Sequence, residues 1–253
     1  MLESLKRLFS HPAEAAAWGE VAAWAQRRGH GFKRARGAPG FVVDGHLEGL
    51  PWRLEWGEAQ RPYIEGHELR LRMELGLPSD MQMLVLSRPL MELLEKQTYE
   101  RFTQGLQTQI DTSTPEEMRW LVMFPKVELG SLKVLRAHFG LVASSPEEGL
   151  AWVTGPLAHQ LEEAATGLLR DGVPFVLMTL RGRAYLRMRM EDPASTALGG
   201  ALAIFETAVT QAMRAVGGHT KSGAAWPSSS TTAWQNLDAD AVAAAARAKD
   251  GRT

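Results

Sequence analysis

The chain has no cysteine, which excludes a disulfide framework, a thiolate nucleophile and a cysteine-ligated metal. This absence also favours a reducing compartment, so we expect a cytoplasmic protein. No run of residues reaches the ~18 consecutive apolar residues that a membrane-spanning helix needs. The most apolar segment, residues 198–209, is short and contains Glu206. We therefore expect no membrane span, and at the amino terminus no secretory signal.

Sequence motifs of the common nucleotide-dependent enzymes are also missing. The chain has no Gly-x-Gly-x-x-Gly, no phosphate loop ending in Gly-Lys-Ser/Thr, no Gly-x-Ser-x-Gly elbow and no zincin helix. Signatures of helix-turn-helix, zinc-finger and RNA-binding domains are absent as well. These absences favour a protein that is not an enzyme and holds no cofactor, and they disfavour nucleic acid as its partner.

The composition is that of an ordinary globular protein, with 45% apolar residues, 23% charged residues and a net charge of -1 over 253 residues. The charge is unevenly distributed, because residues 1–37 carry +4 and residues 38–103 carry -4. Such a separation can orient a protein partner or a second copy of the chain. Arginine supplies 21 of the 28 basic residues, which is typical of GC-rich bacterial genes.

Local patterns predict an α+β protein. Residues 52–56 and 69–75 alternate strictly between apolar and polar, which predicts half-exposed strands. Residues 81–86 are nearly all apolar, as in a strand buried on both faces. The predicted helices cover residues 12–28, 89–102, 156–170 and 198–216. The glycine-rich segment 29–40 is predicted to be a loop.

Two short segments share one helix-start pattern. Thr114-Pro115-Glu116-Glu117 and Ser145-Pro146-Glu147-Glu148 both place a hydroxyl before a proline and two acids. The hydroxyl of each is expected to cap a helix whose first turn carries the acids.

The most informative pattern is a similarity of the chain to itself. Residues 51–54 and 174–177 each begin with Pro and an aromatic residue, and each precedes a Leu-Arg-apolar-Arg-Met-Glu segment, at 69–74 and 186–191. We therefore predict mostly antiparallel sheet built from two similar β-hairpins, each flanked by helices. Alternation places Leu and Met on one face and Arg, Arg and Glu on the other. A duplicated α+β unit is one explanation of the similarity.

The predicted domain organisation has four parts. Residues 1–11 form an extension, 12–113 a first α+β half, and 114–218 a second half packed with the first as one globular unit. Residues 219–253 are rich in Ser, Thr, Gly and Ala, which predicts a disordered or loosely attached tail. Trp226 and Trp234 in this tail are candidate docking residues for a protein partner.

After the docking residues of the tail, basic side chains form a second candidate site. The strand arginines either pair with carboxylates on a solvated face or bind a phosphate or carboxylate group. Five Lys or Arg residues also occur within the glycine-rich stretch 27–36. The candidate anion-binding residues are Arg27, Arg28, Lys33, Arg34, Arg36, Arg70, Arg72, Arg187 and Arg189.

Two Gly-His units with nearby carboxylates form the third candidate site. His46, Glu48 and His67 offer nitrogen and oxygen ligands for zinc or a non-haem metal, although their spacing matches no established motif. The sequence thus favours a non-catalytic cytoplasmic binding or adaptor protein, with self-association left open. The alternatives are a metal-dependent enzyme or metal-binding protein, and an anion or nucleic-acid binder.

Overall fold

A computed structural model describes residues 11–35, 39–103 and 114–219. Within these ranges the chain forms seven α-helices and one eight-stranded sheet in which all neighbouring strands are antiparallel. This arrangement confirms the predicted α+β class and the predicted hairpins. None of the helices in these ranges combines the length and the apolar character that crossing a membrane requires.

The helices and strands are numbered in chain order. The helices are α1 (His11–Arg27), α2 (Arg88–Thr103), α3 (Glu116–Met123), α4 (Lys133–His138), α5 (Pro146–Val153), α6 (Pro156–Thr166) and α7 (Ser195–His219), with a 3-10 turn at Arg170–Gly172. The strands are β1 (Gly31–Arg34), β2 (Gly40–Leu47), β3 (Leu50–Glu58), β4 (His67–Glu74), β5 (Met83–Ser87), β6 (Phe139–Ala143), β7 (Phe175–Leu180) and β8 (Arg183–Arg189). Their order across the sheet is β1-β2-β3-β4-β8-β7-β5-β6.

The two similar hairpins lie side by side at the centre of the sheet. β3 pairs with β4, β7 pairs with β8, and β4 pairs with β8. In the β4–β8 register Arg70 faces Arg187 and Leu71 faces Leu186, so equivalent arginines of the two segments are direct neighbours. Duplication remains unconfirmed, because β1 to β4 follow chain order whereas the other four strands do not.

One face of the sheet carries the larger hydrophobic core. Leu69, Leu71 and Met73 alternate inward from β4, and Leu186 and Met188 do so from β8. They pack with buried residues of α1, α5, α6 and α7 in a single cluster. All six tryptophans between residues 18 and 152 are buried, as core packing predicts.

The opposite face is divided into two halves. Over β5, β6 and β7 it is apolar, and Leu84, Val142 and Met178 are buried in one cluster with residues of α2 and α3. Over β2, β3, β4 and β8 the same face bears charged side chains, several of which are more than one-third exposed. The helices therefore bury one half of this face, and the polar half reaches solvent.

The prediction of a loop over residues 29–40 was wrong for part of the segment. Residues Gly31–Arg34 form β1, which pairs antiparallel with β2 over four residues. The segment lacks apolar alternation because β1 lies at the edge of the sheet, with three of its four residues exposed. Pairing with β2, which is not a local property of the segment, makes it a strand.

The two similar helix starts differ in the structure. Ser145 caps α5 as predicted, with its Oγ accepting a hydrogen bond from the Glu148 amide at 3.4 Å. At α3 the prediction was wrong, because Pro115 occupies the capping position and no side chain there accepts a hydrogen bond. Glu117, in the first turn of α3, is fully buried.

Candidate binding surface on the open sheet face

Charged side chains occupy the half of this second sheet face that no helix buries, and we call this half the open face. Strand register places its side chains on one side of β1, β2, β3, β4 and β8. In these strands the open face carries seven cations and four carboxylates, namely Lys33, Arg53, Arg70, Arg72, Arg183, Arg187 and Arg189 with Asp44, Glu55, Glu68 and Glu74. The surface therefore has an excess of positive charge.

Glu68 is the buried anchor of this surface. Its carboxylate is 0% exposed and accepts a hydrogen bond from Arg187 Nη1 at 2.6 Å. The same carboxylate accepts hydrogen bonds from the backbone N–H of Gln60 at 2.7 Å and from Arg70 Nη1 at 3.4 Å. One carboxylate thus joins the two arginines that face each other across β4 and β8, and it holds their guanidinium groups in place.

This pairing divides the predicted anion-binding arginines into two kinds. The side chains of Arg70 and Arg187 are only 16% exposed, and Glu68 neutralises part of their charge. By contrast Arg72 is 61% exposed, and Arg189 is also exposed. We infer that the inner pair, Arg70 and Arg187, stabilises the sheet. The outer arginines, which are Arg72, Arg189 and the 42% exposed Arg53, are accessible to a ligand.

Glu55 lies near three arginines, but at unequal distances. One of its oxygens lies 2.7 Å from Arg53 Nε, whereas the closest contacts to Arg70 Nε and Arg72 Nη2 are 3.6 Å and 3.9 Å. Arg53 and Arg72 face each other directly in the β3–β4 register. Like charges in directly opposite positions destabilise a sheet unless a carboxylate lies nearby. Because Glu55 lies much closer to Arg53, the charge of Arg72 is incompletely neutralised.

A second buried carboxylate attaches α3 to the segment between β3 and β4. Glu117 accepts a hydrogen bond from Tyr63 Oη at 2.9 Å and one from Arg61 Nε at 3.1 Å. Burial of the phenol, followed by the charge of Glu117, raises the pKa of Tyr63 well above its usual range. Glu68 and Glu117 were not among the predicted site residues, because neither a glutamate just before a predicted strand nor one in a first helical turn gives a local sign of burial.

The predicted basic stretch 27–36 does not form one site. The guanidinium of Arg28 lies over the Trp24 ring at 5.6 Å, whereas Lys33 lies 3.8 Å from Asp44 on the open face. Arg27 ends α1, and Arg34 lies in β1 opposite Phe41. Beside Arg28, burial and then the charge of that arginine lower the pKa of His30.

The structure does not bring the predicted metal ligands together. His46 is paired with Pro51 and His67 with Glu58, so the two histidines lie on either side of β3 at its opposite ends, about 23 Å apart along the strand direction at the usual rise per residue. Glu48 lies in the β2–β3 turn with a positive φ of 51°. Over the described ranges, no three His, Asp or Glu residues form a group that could hold a metal ion.

His67 has other contacts instead. Its ring stacks on Trp56 with centroids 4.5 Å apart, and its Nδ1 lies 3.2 Å from a carboxylate oxygen of Glu191. Trp56 in turn donates a hydrogen bond from Nε1 to the Met190 carbonyl at 2.7 Å. The imidazole therefore packs against the end of the core. Three predicted residues, Arg36, Trp226 and Trp234, lie outside the described residues.

Comparison with known proteins gives no family assignment. No protein-family model matches the chain, and no curated protein matches it either. Among solved structures, the chain is similar to the mycobacterial trehalose monomycolate transport factor A, TtfA, with a TM-score of 0.45 and 6% sequence identity over 77% of this chain and 93% of that one. At this TM-score the similarity assigns neither a fold family nor a function.

Proposed function

We propose that this protein is a non-catalytic binding or adaptor protein that contacts a protein partner through the outer arginines of the open face. The observation that carries the proposal is the excess of cations on an exposed sheet surface whose centre is held by a buried carboxylate. Arginine is enriched at protein interfaces, where its planar guanidinium binds carboxylates in a defined geometry.

The geometry supports binding rather than catalysis. Arg53 and Arg72 lie on a β-sheet surface, with side chains 42% and 61% exposed. Catalytic groups usually act in sites from which water is excluded, because exclusion strengthens their electrostatic effect. An exposed basic surface instead steers an acidic partner during encounter and fixes its orientation.

Reversing two charges tests the proposed surface. The double substitution Arg53→Glu and Arg72→Glu should reduce capture of the partner from lysate by at least about tenfold, because it replaces attraction with repulsion. Proteins captured by the wild type and each variant are compared by quantitative mass spectrometry. Arg170→Glu is the matched control, since its side chain is 75% exposed and it lies in the 3-10 turn, outside the strands of the open face. A protein set that is unchanged by the double substitution contradicts the proposal.

The proposal includes a cytoplasmic location, which the absence of cysteine favours, and a docking role for the tail with Trp226 and Trp234. Deleting residues 219–253 should weaken capture of the partner while leaving the melting temperature nearly unchanged, because this segment has few large apolar residues to bury. Calorimetry and the same capture assay measure both effects. A large fall in melting temperature would instead make the tail part of the fold.

A further inference from the structure

One end of the open face forms a cleft. Its volume is about 390 Å³, which is within the ~300–1,000 Å³ typical of ligand pockets. The cleft lies where the end of β2, the beginning of β3, the end of β4 and the beginning of β8 meet. Its charged lining comprises Asp44, Arg53, Arg72, Glu74 and Arg183, and Tyr185 adds a phenol.

Strand register explains why these side chains converge. Asp44 faces Arg53, Arg53 faces Arg72, and Arg72 faces Tyr185, so the four side chains form one row across four strands. In the next row Arg183 faces Glu74, and the two are joined by an ion pair of 2.6 Å. Rows in a sheet lie side by side on one face, so Arg183 is a diagonal neighbour of Arg72.

The three arginines differ in how well they are neutralised. Arg183 has Glu74 at 2.6 Å, and its interaction with Tyr185 is the largest of the effects that raise its pKa. Arg53 has Glu55 at 2.7 Å and Asp44 at 3.9 Å. Arg72 has its nearest carboxylate at 3.9 Å, and that carboxylate is the one that contacts Arg53. Arg72 is therefore the guanidinium with the most unused hydrogen-bonding capacity of the three.

The charge balance of the cleft indicates the class of anion. Its lining has three guanidinium groups and two carboxylates, which leaves one positive charge. A monoanion matches that balance, whereas a phosphate dianion would be repelled by Asp44 and Glu74 at short range. Pro51 and the ring of Tyr185 also line the cleft and supply apolar surface. A carboxylate attached to an aliphatic chain satisfies both features.

On this basis we propose that the cleft binds a carboxylate on a short aliphatic chain, such as the side chain of a glutamate in a protein partner, with Arg72 as the principal contact. This inference rests on the proposed function, because it identifies what the outer arginines recognise. Arg72 and Arg53 form hydrogen bonds to the carboxylate oxygens, and Tyr185 is positioned beside them to donate a further one.

The test uses a fluorescently labelled hexaglutamate peptide and the full chain. Fluorescence anisotropy should show saturable binding to the wild type, weakened about tenfold by Arg72→Gln, because a charge-assisted hydrogen bond is lost. The matched control Arg170→Gln should bind within about twofold of the wild type. At equal ionic strength, butyrate, a monoanion, should displace the peptide at lower concentration than inorganic phosphate does.

Competition separates the two sources of a carboxylate. If free butyrate binds the wild type as tightly as the peptide does, the cleft takes a small carboxylate and the peptide chain adds nothing. That result supports the carboxylate site but opposes a protein ligand. Peptide binding that is equal for the wild type and Arg72→Gln, or stronger competition by phosphate, overturns the inference.

The two assays together distinguish failure of the carboxylate site from failure of the proposed function. Loss of partner capture by the charge-reversed protein, together with no hexaglutamate binding, leaves the binding function in place and rejects the carboxylate site. Specific hexaglutamate binding with unchanged partner capture supports the carboxylate site and rejects the open face as the partner surface. Circular dichroism of Arg72→Gln checks that the exposed substitution leaves the fold intact.

Discussion

The substitution Glu68→Ala is expected to lower the free energy of unfolding by about 3–5 kcal/mol, the cost of removing one partner of a buried ion pair. Glu68 is fully buried and accepts hydrogen bonds from Arg187, Arg70 and the Gln60 amide. Its removal leaves two guanidinium groups facing each other across β4 and β8 at low exposure, with no carboxylate between them. Urea denaturation followed by circular dichroism measures the change.

Glu74→Ala is the matched control for this prediction. Glu74 lies on the same strand and the same face, and it also pairs with an arginine, Arg183, at 2.6 Å. Its side chain is 69% exposed, so its loss should cost less than about 1 kcal/mol. Glu68→Gln keeps the shape but not the charge, and an intermediate value is expected. A loss for Glu68→Ala that is within error of Glu74→Ala would show that the buried pair does not stabilise the sheet.

The substitution Gly45→Ala is expected to destabilise the protein by about 1–3 kcal/mol through overpacking. A Cβ atom at Gly45 would lie 2.2 Å from Cζ2 of Trp52 and 2.6 Å from its Cε2. Trp52 faces Gly45 in the β2–β3 register and is 2% exposed, so its ring has no free space into which to move. His30 also contacts the ring, with centroids 4.8 Å apart. Thermal denaturation gives the change in stability.

A double-mutant cycle distinguishes this clash from a general strand effect. In the Trp52→Phe background the second ring of the indole is absent, so Gly45→Ala should cost much less than in the wild type. Gly19→Ala is the control, because no atom lies within 4 Å of the added Cβ in helix α1. That change should raise stability by about 0.5–1 kcal/mol, since alanine favours helix. An equal cost of Gly45→Ala in both backgrounds would refute the clash.

Alternation in the sequence was sufficient to predict the central strands, because each has one face in the core and one on the open face. Leu69, Leu71 and Met73 are inward and Arg70 and Arg72 outward, as predicted. β5 was also predictable, since all five of its residues are buried and the first four are apolar. β1 was not predictable, because an edge strand of four residues has few apolar contacts and depends on its pairing with β2.

The candidate site was predictable in composition but not in geometry. The similarity between the two halves indicated Arg70, Arg72, Arg187 and Arg189 as candidates. No local pattern, however, shows that Arg70 and Arg187 face each other. The separation of buried from exposed arginines depends on Glu68, whose burial results from contacts up to 119 residues away in sequence. His46 and His67 were grouped because their local sequences are similar. In the structure His46 lies in β2 beside one end of β3, and His67 lies in β4 beside the other end.

The pairing of β4 with β8 has a consequence for protein synthesis. Strands β1 to β4 can pair as soon as they leave the ribosome, whereas β8 is complete only when Arg189 has been added. Throughout that interval β4 is an unpaired edge, and unpaired edges promote aggregation between nascent chains. Arg70 and Arg72 place positive charge along this edge, where it opposes pairing with the same strand of another chain. The arginines of β4 are therefore expected to oppose aggregation of the unfinished protein before they contribute to the surface of the finished one.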